Sequence, residues 1–482
     1  VVPRLNLILN LVCRDYLADQ AVKDPGFTYL PVIFGEDNDQ CRTPEVQSLA
    51  AMFMLYMNLA SGILSAIVSP RLGHLSDRYG RKTLMALSSI CTLVGEAVAI
   101  IVASRPESSS AYLLLVAAFI DGLGGSFTSS IALVHSYASD CTPPERRNVV
   151  FGYFHATIFS GIALGPFLFG LMIKLTGSVL AVFYTVAGCH LFYFMIIAFA
   201  IPESVSKDRQ RAARERHRVK HLGKQGGLSW SSVKDLNPIN IVRPLSILFP
   251  KFEHSQLWSS ERRKTLGHLR RNLILLASID TLMFGVTMGT MPIVLLYAEY
   301  MFGWLNYESS IFLSVTSTGR VIILLIVFPI ITRLTRGPQR TEQTNSGSDR
   351  LDIGVIQLSI IFDLAGYIGY CLAGSGGVFL LSAVVSSVSG MGSPTLQSSL
   401  TKHVPPSHTG QILGATGLLH ALARVVSPVI FNVIYSSTVH KFPQTVFVCL
   451  ASVFGLAFVL SLFMIPNGML PSHSLPPRYT EY

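Results

Sequence analysis

Six ionisable side chains stand well inside long apolar stretches of this sequence: Glu96, Asp121, Asp280, Arg320, Asp363 and Arg424. A charge at the centre of a bilayer costs about 2.5–3.5 kcal/mol on insertion scales, so residues kept at such depth mark function or pairing. Two kinds of chemistry fit. A carboxyl group can load and release a proton, while an arginine stays charged and offers planar donors to an anionic group. Asp121 and Arg424, each about midway along its stretch, are read in those two roles, coupling and binding. His420 and Arg424 are four residues apart and share one face of a helix. Imidazole changes charge near neutral pH, so His420 and His155 are read either as members of a proton path or as packing residues, and His190 is a further buried imidazole. The plain alternative for any of these charges is an ion pair that locks helices together, Arg320 with Asp280 or Asp363. No enzyme constellation accompanies them. Gly390-Met-Gly-Ser-Pro lacks a phosphate-loop lysine, Gly223-Lys-Gln-Gly-Gly lacks the strand and helix context, and no nucleophile elbow is present. Seven cysteines show no metal-ligand spacing, and neither a metal nor a cofactor is expected.

The elements that position these groups follow from composition. Of 482 residues, 50% are hydrophobic and only 13% charged, with mean hydropathy +0.49. A soluble domain carries about a quarter charged residues, so lipid is the solvent this chain is built for. The net charge of +10 does not point to nucleic acid, because 16 of the 37 Lys and Arg residues lie between 202 and 271, outside the apolar segments. That pattern reads as a cytoplasmic loop facing anionic lipid.

Taken in order, Val1–Cys13 is too short to cross a core that needs about 20 residues. It reads as the outer end of a first helix whose start is missing, or as a short amphipathic segment. Residues 14–46 form an acidic loop suited to the outer or lumenal face. Helices two to six are expected over about 48–70, 84–104, 111–136, 149–173 and 178–201. A basic linker spans 202–271; its part 236–252 suits either a membrane-surface segment or a disordered linker. Helices seven to twelve follow over about 272–298, 307–333, 353–373, 377–400, 410–435 and 443–465, with a cytoplasmic loop at 334–352 and a proline-rich disordered tail at 466–482. Pro143-Pro144, Gly152 and Pro166 recur as Pro405-Pro406, Gly414 and Pro428, each 262 positions later, so two six-helix halves are expected, 1–201 and 272–465.

The loop joining helices two and three, Gly73-His-Leu-Ser-Asp-Arg-Tyr-Gly-Arg-Lys-Thr-Leu84, is short and cationic, which places it on the cytoplasmic side. Its Gly73, Asp77, Arg78, Gly80, Arg81 and Lys82 resemble the corresponding loop of the major facilitator superfamily. In helix five, Gly152, Gly161, Gly165, Pro166 and Gly170 resemble the antiporter motif of that superfamily, with Phe169 in place of a glycine. Such residues would bend the helix and let it pack closely on a partner in the other half. Ala118 stands where many proton-coupled drug exporters carry arginine. The stretch from Asp121-Gly-Leu-Gly-Gly through Ser136-Tyr-Ala-Ser-Asp140 is instead similar to the proton-coupled folate and haem transporter branch and its tetracycline-carrier-like relatives.

The resemblance implies an all-α membrane protein of twelve helices working as a secondary transporter by alternating access, with protons and a small organic solute as partners, in plasma or vacuolar membrane, as a monomer that binds no nucleic acid. It implies that helices one, four, seven and ten chiefly line the cavity with two, five, eight and eleven beside them. That promotes Asp121, Asp280, Arg320, His420 and Arg424 as pathway residues over Glu96 and Asp363. It further implies a latch in which Asp77 faces Thr409 and Gly410 at the start of helix eleven and Arg81 reaches Asp140. A transporter-like sensor that binds without turnover is the other reading. Cys13 and Cys41 both fall on the expected non-cytoplasmic side and are read as a disulfide, the alternative being two buried thiols.

Overall fold

A computed structural model describes residues 2–24, 27–32, 38–41, 43–222, 243–249, 260–304, 306–336, 347–439 and 441–466. Most of the 236–252 segment, the centre of the 334–352 loop and nearly all of the 466–482 tail lie outside the described residues. The described chain is helical throughout: α1 (Val2–Lys23), α2 (Pro44–Tyr79), α3 (Arg81–Ser104), α4 (Tyr112–Leu123), α5 (Ser126–Cys141), α6 (Arg147–Thr176), α7 (Val179–Met195) and α8 (Lys207–Leu222) precede and enter the linker. After it come α9 (Ser260–Phe302), α10 (Asn306–Ile322), α11 (Phe328–Arg336), α12 (Arg350–Leu372), α13 (Gly376–Ser387), α14 (Gly392–Lys402), α15 (Thr409–Thr438) and α16 (Thr445–Leu462). Among the described residues, eleven helices are long and apolar enough to cross a membrane.

Helix α2 extends to Tyr79 through most of the stretch read as a loop, leaving Gly80 as the joint with α3, and three further boundaries differ from the sequence reading. The first helix runs to Lys23, into the stretch read as an acidic loop, because Arg14 and Lys23 are matched by Asp15 and Asp19 along its polar end. The helix after the linker begins at Ser260 instead of 272, since the charged run Glu261–Lys264 is itself helix-favouring. Third, the fourth expected span is not continuous. It breaks between α4 and α5, where Gly125 has φ +86° and Ser126 φ +54°. Ser65 and Thr128 hydroxyls donate to the Gly125 carbonyl, which also accepts from Ser129 N–H at 3.2 Å. The tenth expected span also breaks, in a 3-10 turn at Val388–Met391 between α13 and α14. The 262-residue repeat carries Gly124–Ser126 onto Ser386–Val388, so the two interruptions are equivalents.

Two ends of the bundle are distinguished by chemistry. At one lies the Gly73–Lys82 stretch, helical on both sides of Gly80 (the loop end); at the other, Cys13 and Cys41 form a disulfide with Cα atoms 5.5 Å apart. There Arg14 donates to the Pro106, Glu107 and Ser109 carbonyls, fastening α1 over the turn after α3. Helix α15 runs along α2, α5 and α9 and is the hub between the helices before the linker and those after it. Small residues make that approach possible: a Cβ on Gly73 would lie 2.3 Å from the Gly410 carbonyl oxygen, and one on Gly414 would lie 3.2 Å from Gly73 Cα.

Candidate functional site

At the loop end, the turn after α2 requires Gly80, whose φ is +99°. The first N–H groups of α3 then lack intrahelical partners, and Glu203 supplies both oxygens, accepting from Arg81 N at 2.8 Å and Lys82 N at 3.2 Å. This holds Arg81, fully buried, between two carboxylates: Asp77 at 2.7 Å and Asp140 at 3.0 Å. Ser76 also accepts from its guanidinium. Arg209 of α8 pairs with Asp140 at 3.1 Å and donates to the Pro406 carbonyl, tying the linker to the far side of the cleft. Gly410 sits against this cluster, where a Cβ would meet Arg81 Nη1, the Gly73 carbonyl and Asp77 Oδ1 within 2.9 Å. Arg78 is half-buried and joins no ion pair among the described residues.

A matching node lies beside it. Lys402 pairs with Asp352 at 2.5 Å, both buried, and Asn148 donates to Asp352 at 3.4 Å from the other side of the cleft. Arg147 donates to Thr401 at 3.4 Å. Lys402 is 262 positions after Asp140, so at this position the repeat exchanges an acid for a base. Sequence reading missed Lys402 and Asp352, although the offset already found would have marked the first. Outside the spans, His403 Nδ1–H donates to the Ser399 carbonyl (2.8 Å), and burial pushes its imidazole down to about 4.

Midway through the bundle, Arg424 donates through Nη1 to Ser126 Oγ at 3.1 Å and through Nη2 to Ser61 Oγ at 3.2 Å. Ser61 in turn donates to Asp121 Oδ2 at 3.2 Å, and Thr92 reaches Oδ1 at 3.5 Å. Asp121 and Arg424 are therefore brought together through one hydroxyl, without direct contact. The break before α5 is what presents Ser126 to the guanidinium. Ser61 and Ser126 were not picked out from sequence, since serines are too common in such helices to carry a signal.

One turn along α15, His420 Nε2 lies 2.8 Å from Asp280 Oδ2, and both groups are buried. The His420 ring stacks on Phe284 with centroids 4.1 Å apart. Asp280 thus pairs with His420, a different partner from the Arg320 considered as its alternative. Arg320 lies over the Phe159 ring at 4.9 Å and packs on Gly390 in the break after α13. Asp363 accepts from Ser386 at 2.8 Å and Ser389 at 2.7 Å, and so holds that break in place. Glu96 pairs with Arg4 at 3.2 Å. His155 lies 3.4 Å from Ser393 across the cleft and stacks on His135, centroids 5.4 Å apart. His135 was missed; a histidine among the serines of α5 was its sequence signal. His190, half-buried on α7, is not brought to any of these groups by a described contact.

The glycine motif of the fifth expected span behaves differently from the reading. A Cβ on Gly152 would touch Phe328 at 3.2 Å, but at Gly161, Gly165 and Gly170 nothing lies within 4 Å. Pro166 stands within the same unpacked part of α6. The close packing expected there is absent because described contacts across the cleft gather between the Gly62–Val425 level and the loop end.

Comparison with known proteins fits this arrangement. Among relatives, the MFS-type transporter avaJ of Aspergillus versicolor is 28% identical over 487 residues, covering 100% of this chain and 88% of the relative. The lysosomal proton-coupled steroid conjugate and bile acid symporter SLC46A3 of Gallus gallus is 23% identical over 441 residues, covering 88% of this chain and 80% of the relative. The crystal structure of the human organic anion transporter MFSD10 (TETRAN) has the same fold, with TM-score 0.63 and 16% identity over 95% of this chain and 98% of that one. Residues 43–428 match the Major Facilitator Superfamily model, and with the broken spans, the buried ion cluster at the loop end and, among the described residues, eleven helices long and apolar enough to span a membrane, the chain belongs to that superfamily.

Proposed function

We propose that this membrane transporter of small solutes moves an organic anion by alternating access, with proton movement coupled to it. The halves 1–201 and 272–465 would rock about the level of Arg424. The observation that carries the reading is the environment of Arg424. Its guanidinium is held by two neutral hydroxyls, and the nearest described carboxylate, Asp121, is reached only through Ser61. A cation so placed keeps its charge uncompensated at first contact and suits an anionic group on a ligand. Asp121, one hydroxyl away, is the carboxyl group placed to carry the coupled proton.

The closed latch at the loop end and the unpacked glycines of α6 suit a state open toward the disulfide end. The loop end faces the cytoplasm on this reading, because its short loop is cationic. SLC46A3 supplies a first choice of probes, a steroid conjugate and a bile acid.

The test is uptake of a radiolabelled bile acid and a sulfated steroid by purified protein in vesicles, with and without a pH gradient. Accumulation against a concentration gradient is expected. Asp121→Asn should abolish gradient-driven accumulation and keep exchange, whereas Arg424→Ala should weaken binding itself. Saturable binding without flux would establish a sensor instead, and normal transport in both variants would overturn the site.

A further inference from the structure

We propose that Asp280 and His420 form a second proton site, distinct from Asp121, which is shut inside the closed loop end and gives up its proton when that end opens. The inference deepens the transport reading and rests on it for direction. Both residues belong to helices after the linker, α9 and α15, and both are buried, at 1% and 5% exposure. Their contact is 2.8 Å, and the Phe284 ring fixes the imidazole plane. The second carboxylate oxygen, Oδ1, is buried and has no hydrogen-bond partner. A carboxylate with one oxygen unserved in a dry interior is costly unless its charge is cancelled. A proton on His420 cancels it: with both ring nitrogens protonated, the pair sums to zero.

The surroundings give that proton a route. From α6, His155 lies within electrostatic reach of both Asp280 and His420. Behind it on α5, His135 stacks on His155 and leaves its buried Nδ1 without a partner. The α14 helix contributes only neutral groups here, Ser393 and Gln397. Arg424, one turn beyond His420 on the same helix, is the nearest permanent cation along α15. These imidazoles come from the helices before the linker, so groups within electrostatic reach of the pair move away from it when the cleft opens at the loop end. Water then reaches Asp280 Oδ1. The Nδ1 proton of the His420 imidazolium passes to that water, Nε2–H stays on Asp280, and the pair goes from net zero to net minus one. No oxidant or second reactant is involved.

The experiment counts protons in the substrate-free full-length protein in lipid nanodiscs, by a pH-indicator dye across a pH step from about 8 to 5. Wild type is expected to take up one more proton than Asp280→Asn and one more than His420→Gln, whose amide can still donate to Asp280 and preserve the fold. Gly410→Leu, whose side chain cannot fit against Arg81 and Gly73, keeps the loop end from closing and should move the midpoint of that step. A pair that merely joins two helices would show no such movement. Equal proton counts in wild type and both pair variants overturn the proposal, as does a midpoint indifferent to Gly410→Leu. These readouts need no substrate. Absence of bile acid uptake by wild type would therefore count against the transport reading alone.

Discussion

At the scale of single residues, burial decides which charges matter. His403 illustrates the sign of such an effect. Its folded-state imidazole is pushed down to about 4 from 6.5, first by burial and then by the neighbouring Lys402 against the opposing Ser399 carbonyl bond. The unfolded chain therefore binds more protons between those values. Stability contributed by the neutral ring is present in full above about pH 6.5 and is lost as pH falls toward 4, amounting to about 3 kcal/mol. His403→Gln should flatten this acid-side loss in thermal melts of detergent-purified protein, and an unchanged slope would argue against it. Asp77 acts differently. Its Oδ1 faces Arg81 at 2.7 Å while Gly410 closes over it, so it belongs to the shut conformation of the loop end. Asp77→Asn should cut the maximal transport rate about tenfold, equivalent to about 1.4 kcal/mol on the closed state, with half-saturation little changed. A rise in half-saturation at full rate would place Asp77 in binding instead.

At the scale of elements, two interrupted helices hold the chemistry in place. Gly125 needs its left-handed backbone, and a Cβ there would meet Ser129 and Leu72 within 2.7 Å. Gly177 also has positive φ, yet nothing lies within 4 Å of its Cβ position. Gly125→Ala should therefore lose about 1–2 kcal/mol from backbone strain and more from crowding, and should weaken anion binding by displacing Ser126; Gly177→Ala should lose the strain part alone. Thermal melts with binding assays on the two variants separate the effects. Sequence gave no warning of these breaks. Asp121-Gly-Leu-Gly-Gly was legible as a small-residue run for close packing, but such a run reads alike whether the helix continues or stops. What decides is the hydroxyl of Ser65 and the partner helix, which are non-local. The ion cluster at the loop end was legible because Asp77, Gly80 and Arg81 lie within five residues in a stereotyped pattern. Asp280 was found as a buried charge and His420 as an intramembrane imidazole, but their pairing required knowing how α9 lies against α15.

At the scale of the whole molecule, the repeat that relates Asp140 to Lys402 was visible only in prolines and glycines, because the charges at its equivalent positions are inverted. Composition marked the solvent and the later spans well; the length of the first helix escaped, since five charged residues interrupt it. The clasp around Asp140 has a further consequence for how the polypeptide can be handled. Glu203 and Arg209 are upstream of residue 223, yet Arg209 already grips Pro406 across the cleft. The noncovalent tie between the two pieces is thus complete before the linker's centre is reached. A chain cut between 223 and 242 and co-expressed as two fragments should reassemble, co-purify and regain most of its stability. Arg209→Ala in the first fragment should reduce recovery of the pair while leaving the uncut protein's yield near normal, which makes this chain a candidate for a two-part complementation reporter of the closed loop end.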